Sequence, residues 1–81
     1  MKFYYVYVLR SHIDTNRHYV GLSDDLAERL NKYNAGQCKY TSKFRPWQIE
    51  TAISFQSKEK AVAFEKYLKS HSGRAFAGRY F

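Results

Sequence analysis

The stretch YYVYVLRSHIDTNRHYVG, residues 4–21, contains two tyrosine-containing tripeptides on either side of a polar connection. Its residues alternate with a period of two, which predicts a β-hairpin. Tyr5 and Tyr7 then lie on one face of the first strand, and Tyr4 and Val6 lie on the other. We take this hairpin as the element around which the rest of the chain is built.

The register of the hairpin decides which side chains meet across it. A symmetric turn centred near Ile13 places Tyr7 opposite Tyr19 and Tyr5 opposite Gly21, all on one face. Two phenols then meet where a glycine leaves room. Each buried hydroxyl needs a hydrogen-bond partner, so the arrangement suits the floor of a site better than plain core packing.

The composition indicates a small folded domain with a basic surface. Hydrophobic residues make up 44% of the 81 residues, and eight Tyr and six Phe supply most of the core volume. We therefore expect one domain over residues 1–81. Fourteen Lys and Arg against seven acids give a net charge of +7. Nucleic acid is the predicted partner; an anionic membrane surface or simple solubility are the alternatives.

The N-terminal residues and the cysteine content bear on the compartment. Lys2 precedes a short aromatic strand and not a long apolar run, so neither a signal peptide nor a membrane span is predicted. The single Cys38 has no partner for an internal disulfide, and no Cys/His spacing suggests zinc. These features favour a reducing, cytoplasmic setting.

Period and capping signals predict the order strand, strand, helix, strand, helix and a short helical tail. Ser23 is the predicted N-cap of the first helix and Gly36 its end, while Ser57 caps the second helix and Gly73 ends it. Alternate residues from Ile49 to Phe55 should share one face of the third strand. This order predicts an α+β fold, a small three-stranded antiparallel sheet with flanking helices. The predicted strands cover residues 3–10, 17–22 and 47–55, the helices residues 23–34 and 57–73, and a basic loop residues 37–46.

Glu65 lies inside the apolar arc of the second predicted helix, close in angle to Ala61 and between Val62 and Leu68. An unpaired carboxylate in that position is costly. It should therefore face a metal ion or an arginine, or take up a proton. A structural ion pair with Arg29, or an edge position from which the carboxylate reaches water, is the alternative interpretation.

Arg29 and Tyr33 are four residues apart on the first predicted helix, so their side chains neighbour each other on one face. The guanidinium suits a phosphate, because its planar fork donates two parallel hydrogen bonds and stays charged at any useful pH. A surface salt bridge with Glu28 or Asp25 is the alternative.

Taken together, these residues resemble the GIY-YIG nuclease family. The resemblance covers essentially the whole chain, and the segments KYTSKFRPW and EKYLKSHSGRAF are similar to those of small standalone members. It rests on Tyr5-Val6-Tyr7, on Tyr19-Val20-Gly21, on Arg29 within DLAERL, and on a helical Glu65 ahead of LK.

The resemblance implies hydrolysis of a DNA phosphodiester bond with one divalent metal ion and no organic cofactor. Glu65 would hold Mg²⁺ or Mn²⁺, and Arg29 would neutralise charge on the scissile phosphate in the transition state. Tyr19 and Tyr7 would orient or deprotonate the attacking water. We expect Tyr7, Tyr19, Arg29 and Glu65 to surround one concave face of the sheet. Such proteins are related to the nuclease module of bacterial excision repair, which implies DNA repair, and we expect a monomer.

The chain departs from the family pattern in three places. Its first tripeptide differs from GIY in the first two residues, and Tyr33 stands where many members have a histidine. We place Tyr33 among the catalytic residues, although a general-base role is harder to predict for a phenol. The late asparagine of several branches is not evident after Glu65, and Ser72 or Arg74 is the candidate substitute.

The predicted function is a DNA endonuclease with little sequence specificity, and two other functions compete with it. One is a catalytically weak or inactive nucleic-acid-binding module. The other is a degenerate domain that binds a protein partner. In the endonuclease, the residues predicted to contact substrate are Gly21 and, through the DNA backbone, Lys39, Lys43 and Arg45. In the binding module, the residues predicted to stack on bases are Tyr40, Phe44 or Trp47. Trp47 is next to a strand, so a position covering the core is the stronger interpretation for it.

Overall fold

Three antiparallel strands form the central layer of the protein in a computed structural model. The structure describes residues 2–37 and 39–80; for residues 40, 71, 77 and 80 within these ranges it describes the backbone alone. Strand β1 covers Tyr4–Ser11, β2 covers His18–Ser23 and β3 covers Trp47–Phe55. The strand order is β2-β1-β3, so β1 is central and β2 is an edge strand. The predicted three-stranded antiparallel sheet is confirmed. Cys38, which the sequence analysis singled out, lies outside the described residues.

The β1–β2 hairpin has a register two residues away from the predicted one. Tyr7 pairs with Gly21, and Tyr19 pairs with Leu9. The turn is centred near Asp14, because the Ser11 hydroxyl accepts hydrogen bonds from the backbone N–H groups of residues 13 and 14. A shift of two keeps every side chain on its predicted face. Tyr7 and Tyr19 therefore share a face without being directly opposite each other.

A β-bulge interrupts the pairing of β1 with β3. Val8 pairs with Thr51 and Leu9 with Ile49, so Glu50 has no partner in the register. A bulge inserts one residue and exchanges the faces of the residues on either side of it. The prediction that alternate residues from Ile49 to Phe55 share one face is therefore wrong: Ile49 lies on the face of Leu9, and Phe55 lies on the other.

Helix α1, Leu26–Asn34, follows the hairpin directly. Its N-cap is Asp25, whose carboxylate accepts from the backbone N–H of Glu28, and not the predicted Ser23. Ser23 still belongs to β2, and its hydroxyl accepts a hydrogen bond from the backbone N–H of Asp25, two residues later. The predicted end is confirmed, since Gly36 has a φ of 77° and closes the helix as a C′ glycine.

The remaining helices differ more from prediction. A short helix α2, Lys39–Ser42, lies within the predicted loop. Helix α3, Lys58–Lys69, has the predicted Ser57 N-cap but ends before Ser70, and α4, His71–Tyr80, replaces the short tail. Gly73 is buried inside α4, where a Cβ would overlap the Tyr67 carbonyl. Its role is thus close helix packing, not termination. Within residues 2–37 and 39–80, no helix is long and apolar enough to cross a membrane.

The sheet carries a separate hydrophobic cluster on each side. We call the side covered by α1 the α1 face, and the side covered by α3 and α4 the α3 face. The cluster on the α1 face is built on the buried residues Tyr7, Leu9, Tyr33 and Trp47. The cluster on the α3 face is built on the buried residues Val6, Ala61 and Leu68. Two small cores therefore share one sheet, and the β2 edge borders both.

Candidate active site

Tyr7 is the central residue of the α1 face and is 1% exposed. Its ring lies over the backbone of Gly21 on the edge strand, where a Cβ would overlap both the hydroxyl and the ring. The glycine therefore lets the phenol lie flat against β2, as the sequence predicted in outline. Gly21 has a packing role here, and its contact with substrate stays a prediction.

Arg29 projects from α1 onto the same phenol. Its Nε donates to the Tyr7 hydroxyl over 3.2 Å, and its guanidinium carbon lies 5.5 Å from the centre of the Tyr33 ring. The hydrogen bond to Tyr7 raises the pKa of the guanidinium. The alternative salt bridge with Glu28 or Asp25 is wrong, because Glu28 pairs with Lys32 and Asp25 caps the helix. Arg29 is a fixed cation held by aromatic partners.

Tyr33 completes the cluster. Its hydroxyl lies 3.4 Å from that of Tyr7, a long contact, and its ring centre lies 5.4 Å from that of Tyr19. Burial raises the pKa of the Tyr33 phenol, and hydrogen bonding to Tyr7 and Tyr19 raises it further. Tyr33 thus stays neutral at neutral pH. It is suited to donate a hydrogen bond, not to accept a proton as a general base.

These side chains open onto a solvent-filled cleft of about 230 Å³, which we call the arginine cleft. Two of its lining residues are cations and none is a carboxylate, so the cleft suits an anion. The planar guanidinium favours a phosphate over a spherical ion. The lining residues are Tyr19, Arg29, Lys32, Tyr33 and Gln37.

Glu65 lies on α3, and α3 covers the opposite face of the sheet. The prediction that Tyr7, Tyr19, Arg29 and Glu65 surround one face is therefore wrong, because the sheet itself separates α1 from α3. The Glu65 side chain is 20% exposed, in agreement with its predicted position inside the apolar arc of the helix. Its ion-pair partner is Lys69, at 3.5 Å between Nζ and Oε2, and not Arg29.

Lys69 connects Glu65 to the tyrosine cluster around the β2 edge. Its Nζ lies 5.8 Å from the centre of the Tyr19 ring. Tyr19 is on the edge strand, so groups from both faces reach it without crossing the sheet. The structure thus brings Tyr7, Arg29, Tyr33 and Tyr19 together directly, and it brings Glu65 to the same edge through Lys69.

The acidic residues limit the kind of metal site. In the part of the chain that the structure describes, no group of three or more His, Cys, Asp or Glu side chains could hold a metal ion. A closed protein cage is therefore not formed by these residues. Mg²⁺ is commonly bound through one or two carboxylates, with water and substrate phosphates as the other ligands. A half-buried Glu65 paired only loosely with an ammonium group fits that kind of site.

The predicted basic contacts lie around α2. Lys39, Lys43 and Arg45 are exposed. The Lys43 Nζ lies 5.3 Å from the centre of the Phe44 ring, and the guanidinium carbon of Arg17 lies 4.6 Å from it. Sequence reasoning missed Arg17, which ends the hairpin turn far from this segment in the chain. The clustering of cationic residues around the hairpin turn is the sequence feature that could have identified Arg17.

Trp47 does not present a stacking surface. It is 4% exposed, its indole N–H donates to the Thr41 carbonyl over 3.0 Å, and its backbone is held by both ends of the Asn34 amide. A core role is therefore confirmed, and base stacking on Trp47 is wrong. The Tyr40 side chain lies outside the described residues. Phe44 is half-buried between two cations.

Comparison with known proteins identifies the family of this chain. The GIY-YIG catalytic domain matches residues 3–79. The chain belongs to the GIY-YIG family. The resemblance stated from the two tripeptides, Arg29 and Glu65 is thereby confirmed at the level of the family, while the roles of the individual residues stay predictions.

Three relatives show how far the similarity extends. The chain is 39% identical over 70 residues to the structure-specific endonuclease subunit SLX1 of Cryptococcus neoformans, which covers 78% of this chain and 14% of that protein. It is 38% identical over 55 residues to the UPF0213 protein YazA of Bacillus subtilis, covering 67% of this chain and 56% of that protein. The solution NMR structure of the UPF0213 protein BH0048 from Bacillus halodurans superposes with a TM-score of 0.57 at 28% identity, covering 95% and 83% of the two chains. The chain thus spans about half of YazA and a small part of SLX1.

Proposed function

We propose that this chain is a DNA endonuclease that depends on a divalent metal ion and has little sequence specificity of its own. The observation that carries the proposal is the Arg29 guanidinium, fixed by Tyr7 and Tyr33 at the wall of an open, cationic cleft. Membership of the GIY-YIG family and the printed name of one relative, a structure-specific endonuclease subunit, support it.

Arg29 binds the scissile phosphate in this proposal. A guanidinium has five N–H donors, so donors remain for a phosphate after the contacts with the two phenols. Because Tyr7 fixes the guanidinium before substrate arrives, no reorganisation is needed as charge builds up on the phosphate oxygens. Tyr7 is then a positioning residue, buried beneath the cation it holds.

Tyr19 orients the attacking water. It is the phenol that lines the cleft and also lies beside Lys69, so it faces both the phosphate and the Glu65 side of the edge. Tyr33 cannot accept the proton at neutral pH, since its pKa is raised. Glu65 is the residue that would hold Mg²⁺ or Mn²⁺, and a bound ion of this kind polarises the phosphate and stabilises the leaving oxygen.

The low specificity follows from the kind of contacts available. Lys39, Lys43 and Arg45 would contact phosphates together with Arg17, and phosphate contacts position DNA without distinguishing its bases. We expect binding to weaken steeply as the salt concentration rises, because each phosphate contact releases a counterion.

A cleavage assay with a matched pair of variants tests the proposal. Supercoiled plasmid and branched DNA are incubated with Mg²⁺, with Mn²⁺ or with EDTA, using the wild type, Glu65→Gln and Glu59→Gln. Both glutamates are on α3, but Glu59 is exposed in its first turn. We expect EDTA to abolish nicking and Glu65→Gln to lower its rate at least about a hundred-fold. Glu59→Gln should match the wild type. Nicking that persists in EDTA or in Glu65→Gln contradicts the proposal.

One observation favours a second candidate, a DNA-binding module with weak or no catalysis. Glu65 is paired with Lys69 and is on the face opposite Tyr7. Salt-sensitive binding in the same samples, without nicking under any metal condition, would support this candidate.

A further inference from the structure

A cleft of about 530 Å³ lies on the α3 face of the sheet, between the hairpin and α3–α4. We propose that this cleft, which we call the β2–α3 cleft, binds one unpaired nucleobase of the DNA strand whose phosphate lies at Arg29. The inference rests on the DNA-binding part of the proposed function. The volume of the β2–α3 cleft is within the range of about 300–1,000 Å³ found for small-molecule sites.

The floor of the β2–α3 cleft is apolar. Val8 and Val20 contribute from the two hairpin strands, and Leu68 contributes from α3. Val8 and Leu68 belong to the buried core, so the floor is firm. A flat aromatic base placed there covers the half-buried Val20 and Tyr19 and removes apolar surface from water on both partners, whichever base it is.

One rim of the cleft carries fixed polar groups. Glu50, the bulged residue of β3, pairs with Arg10, and its Oε1 lies 3.6 Å from the His18 Nε2. Asn16 also lines the cleft. A carboxylate has about four acceptor sites, so Glu50 can accept from a base amino group while both pairs stay formed. The polar edge of a base is occupied by its partner in a duplex. Only an unpaired or flipped base can use this rim.

The mouth of the cleft is cationic and adjoins the arginine cleft. Lys69 and Arg74 line it, and Tyr19 lines both clefts. A strand that crosses the β2 edge at Tyr19 can therefore place its phosphate at Arg29 and an adjacent base in the β2–α3 cleft. Lys69 neutralises the backbone between the two.

Gly78 allows the cleft to be filled without disturbing the core. It lines the cleft, and a Cβ added there meets no atom within 4 Å. Replacing a glycine within a helix also favours the helix. Gly78→Trp narrows the cleft, and Gly78→Ala is the matched control that adds a Cβ and leaves the space open.

The test measures DNA binding in EDTA, where no cleavage complicates it. Two fluorescent probes are compared by anisotropy: a duplex with one unpaired 2-aminopurine, and the same duplex fully paired. We expect the wild type and Gly78→Ala to bind the unpaired probe about ten-fold more tightly, a modest value for one docked base. Gly78→Trp should bind both probes equally and keep the wild-type affinity for the paired duplex.

A folding control and a second variant make the test independent of the stability of Gly78→Trp. Circular dichroism establishes that Gly78→Trp is folded, and the exposed Arg74→Gln gives a second measurement, with a smaller loss confined to the unpaired probe. Equal binding of both probes by the wild type, or a preference that survives Gly78→Trp, overturns the inference. Displacement of the unpaired probe by free deoxyadenosine monophosphate at micromolar concentration also overturns it, since the cleft would then be a free-nucleotide site.

The two proposals fail in different ways. Nicking of plasmid with equal binding of the two probes rejects the β2–α3 cleft and leaves the endonuclease intact. A preference for the unpaired probe without nicking rejects catalysis and leaves the cleft assignment intact.

Discussion

The two faces of the sheet differ in how closely side chains pack beside strand β2. On the α1 face, a Cβ on Gly21 would overlap Tyr7, and the tyrosine hydroxyls and Arg29 contact one another. On the α3 face, a Cβ on Gly78 meets nothing, and a wide cleft remains beside the apolar core. The same sheet thus supports one tightly packed polar cluster and one open apolar groove.

The chemistry of the two faces differs in the same way. On the α3 face, the partly buried rings of Phe55, Phe64 and Phe76 pack against an aliphatic core. Together with the exposed Tyr67 they form a series of contacts at 5.6, 6.3 and 6.0 Å between successive ring centres. Phenyl rings need no hydrogen-bond partner, so their packing tolerates a neighbouring void. Phenols need partners, and satisfying them fixes each ring in place. The difference predicts that the α1 face binds the scissile phosphate and that the open cleft on the α3 face determines which DNA structure binds.

The largest effect should follow from removing the cation of the α1 face. Arg29→Ala should lower the cleavage rate about 10²–10³-fold, the usual effect of losing one donor to a developing charge. Arg29→Lys should recover little, because an ammonium group lacks the planar fork. Lys66→Ala, which removes an exposed cation from α3, is the control and should leave single-turnover cleavage unchanged. A full recovery by Arg29→Lys would show that charge alone is needed.

The next effect concerns packing and compares the two glycines directly. Gly21→Ala should lower the free energy of unfolding by about 1–3 kcal/mol, because the new methyl displaces the Tyr7 ring. Gly78→Ala should instead raise it by about 0.5–1 kcal/mol, since alanine favours a helix. Urea denaturation of both variants measures the difference. Equal changes in the two would mean that the faces are packed alike.

The smallest effect appears only in alkali. Burial raises the pKa of Tyr33 in the folded chain, so above about pH 10 the unfolded chain loses that proton first and stability falls. The stability due to this phenol is complete below pH 10 and is lost as pH rises. Between pH 10 and 11 the wild type should lose about 1 kcal/mol more than Tyr33→Phe. Parallel urea denaturation of both proteins checks this, and identical slopes would place Tyr33 in an unperturbed environment.

Local sequence signals predicted much of the fold. The predicted strand 47–55 coincides with β3, Ser57 caps α3, and Gly36 ends α1. The errors arose where a neighbouring element decided the outcome. Ser23 was predicted to be an N-cap but forms the last residue of β2. Gly73 was predicted to end a helix but lies within α4, where it allows close packing against α3.

The sequence by itself determined the family, the two tyrosines on one face, and the pairing of Arg29 with Tyr33, because each depends on spacing within one element or across one turn. Only the tertiary structure decided the partner of Glu65, the bulge at Glu50 and the cleft on the α3 face. These depend on how helices far apart in the chain lie against a sheet with two sides. Helical period places Glu65 on the inner side of α3, but it cannot state which side of the sheet α3 covers.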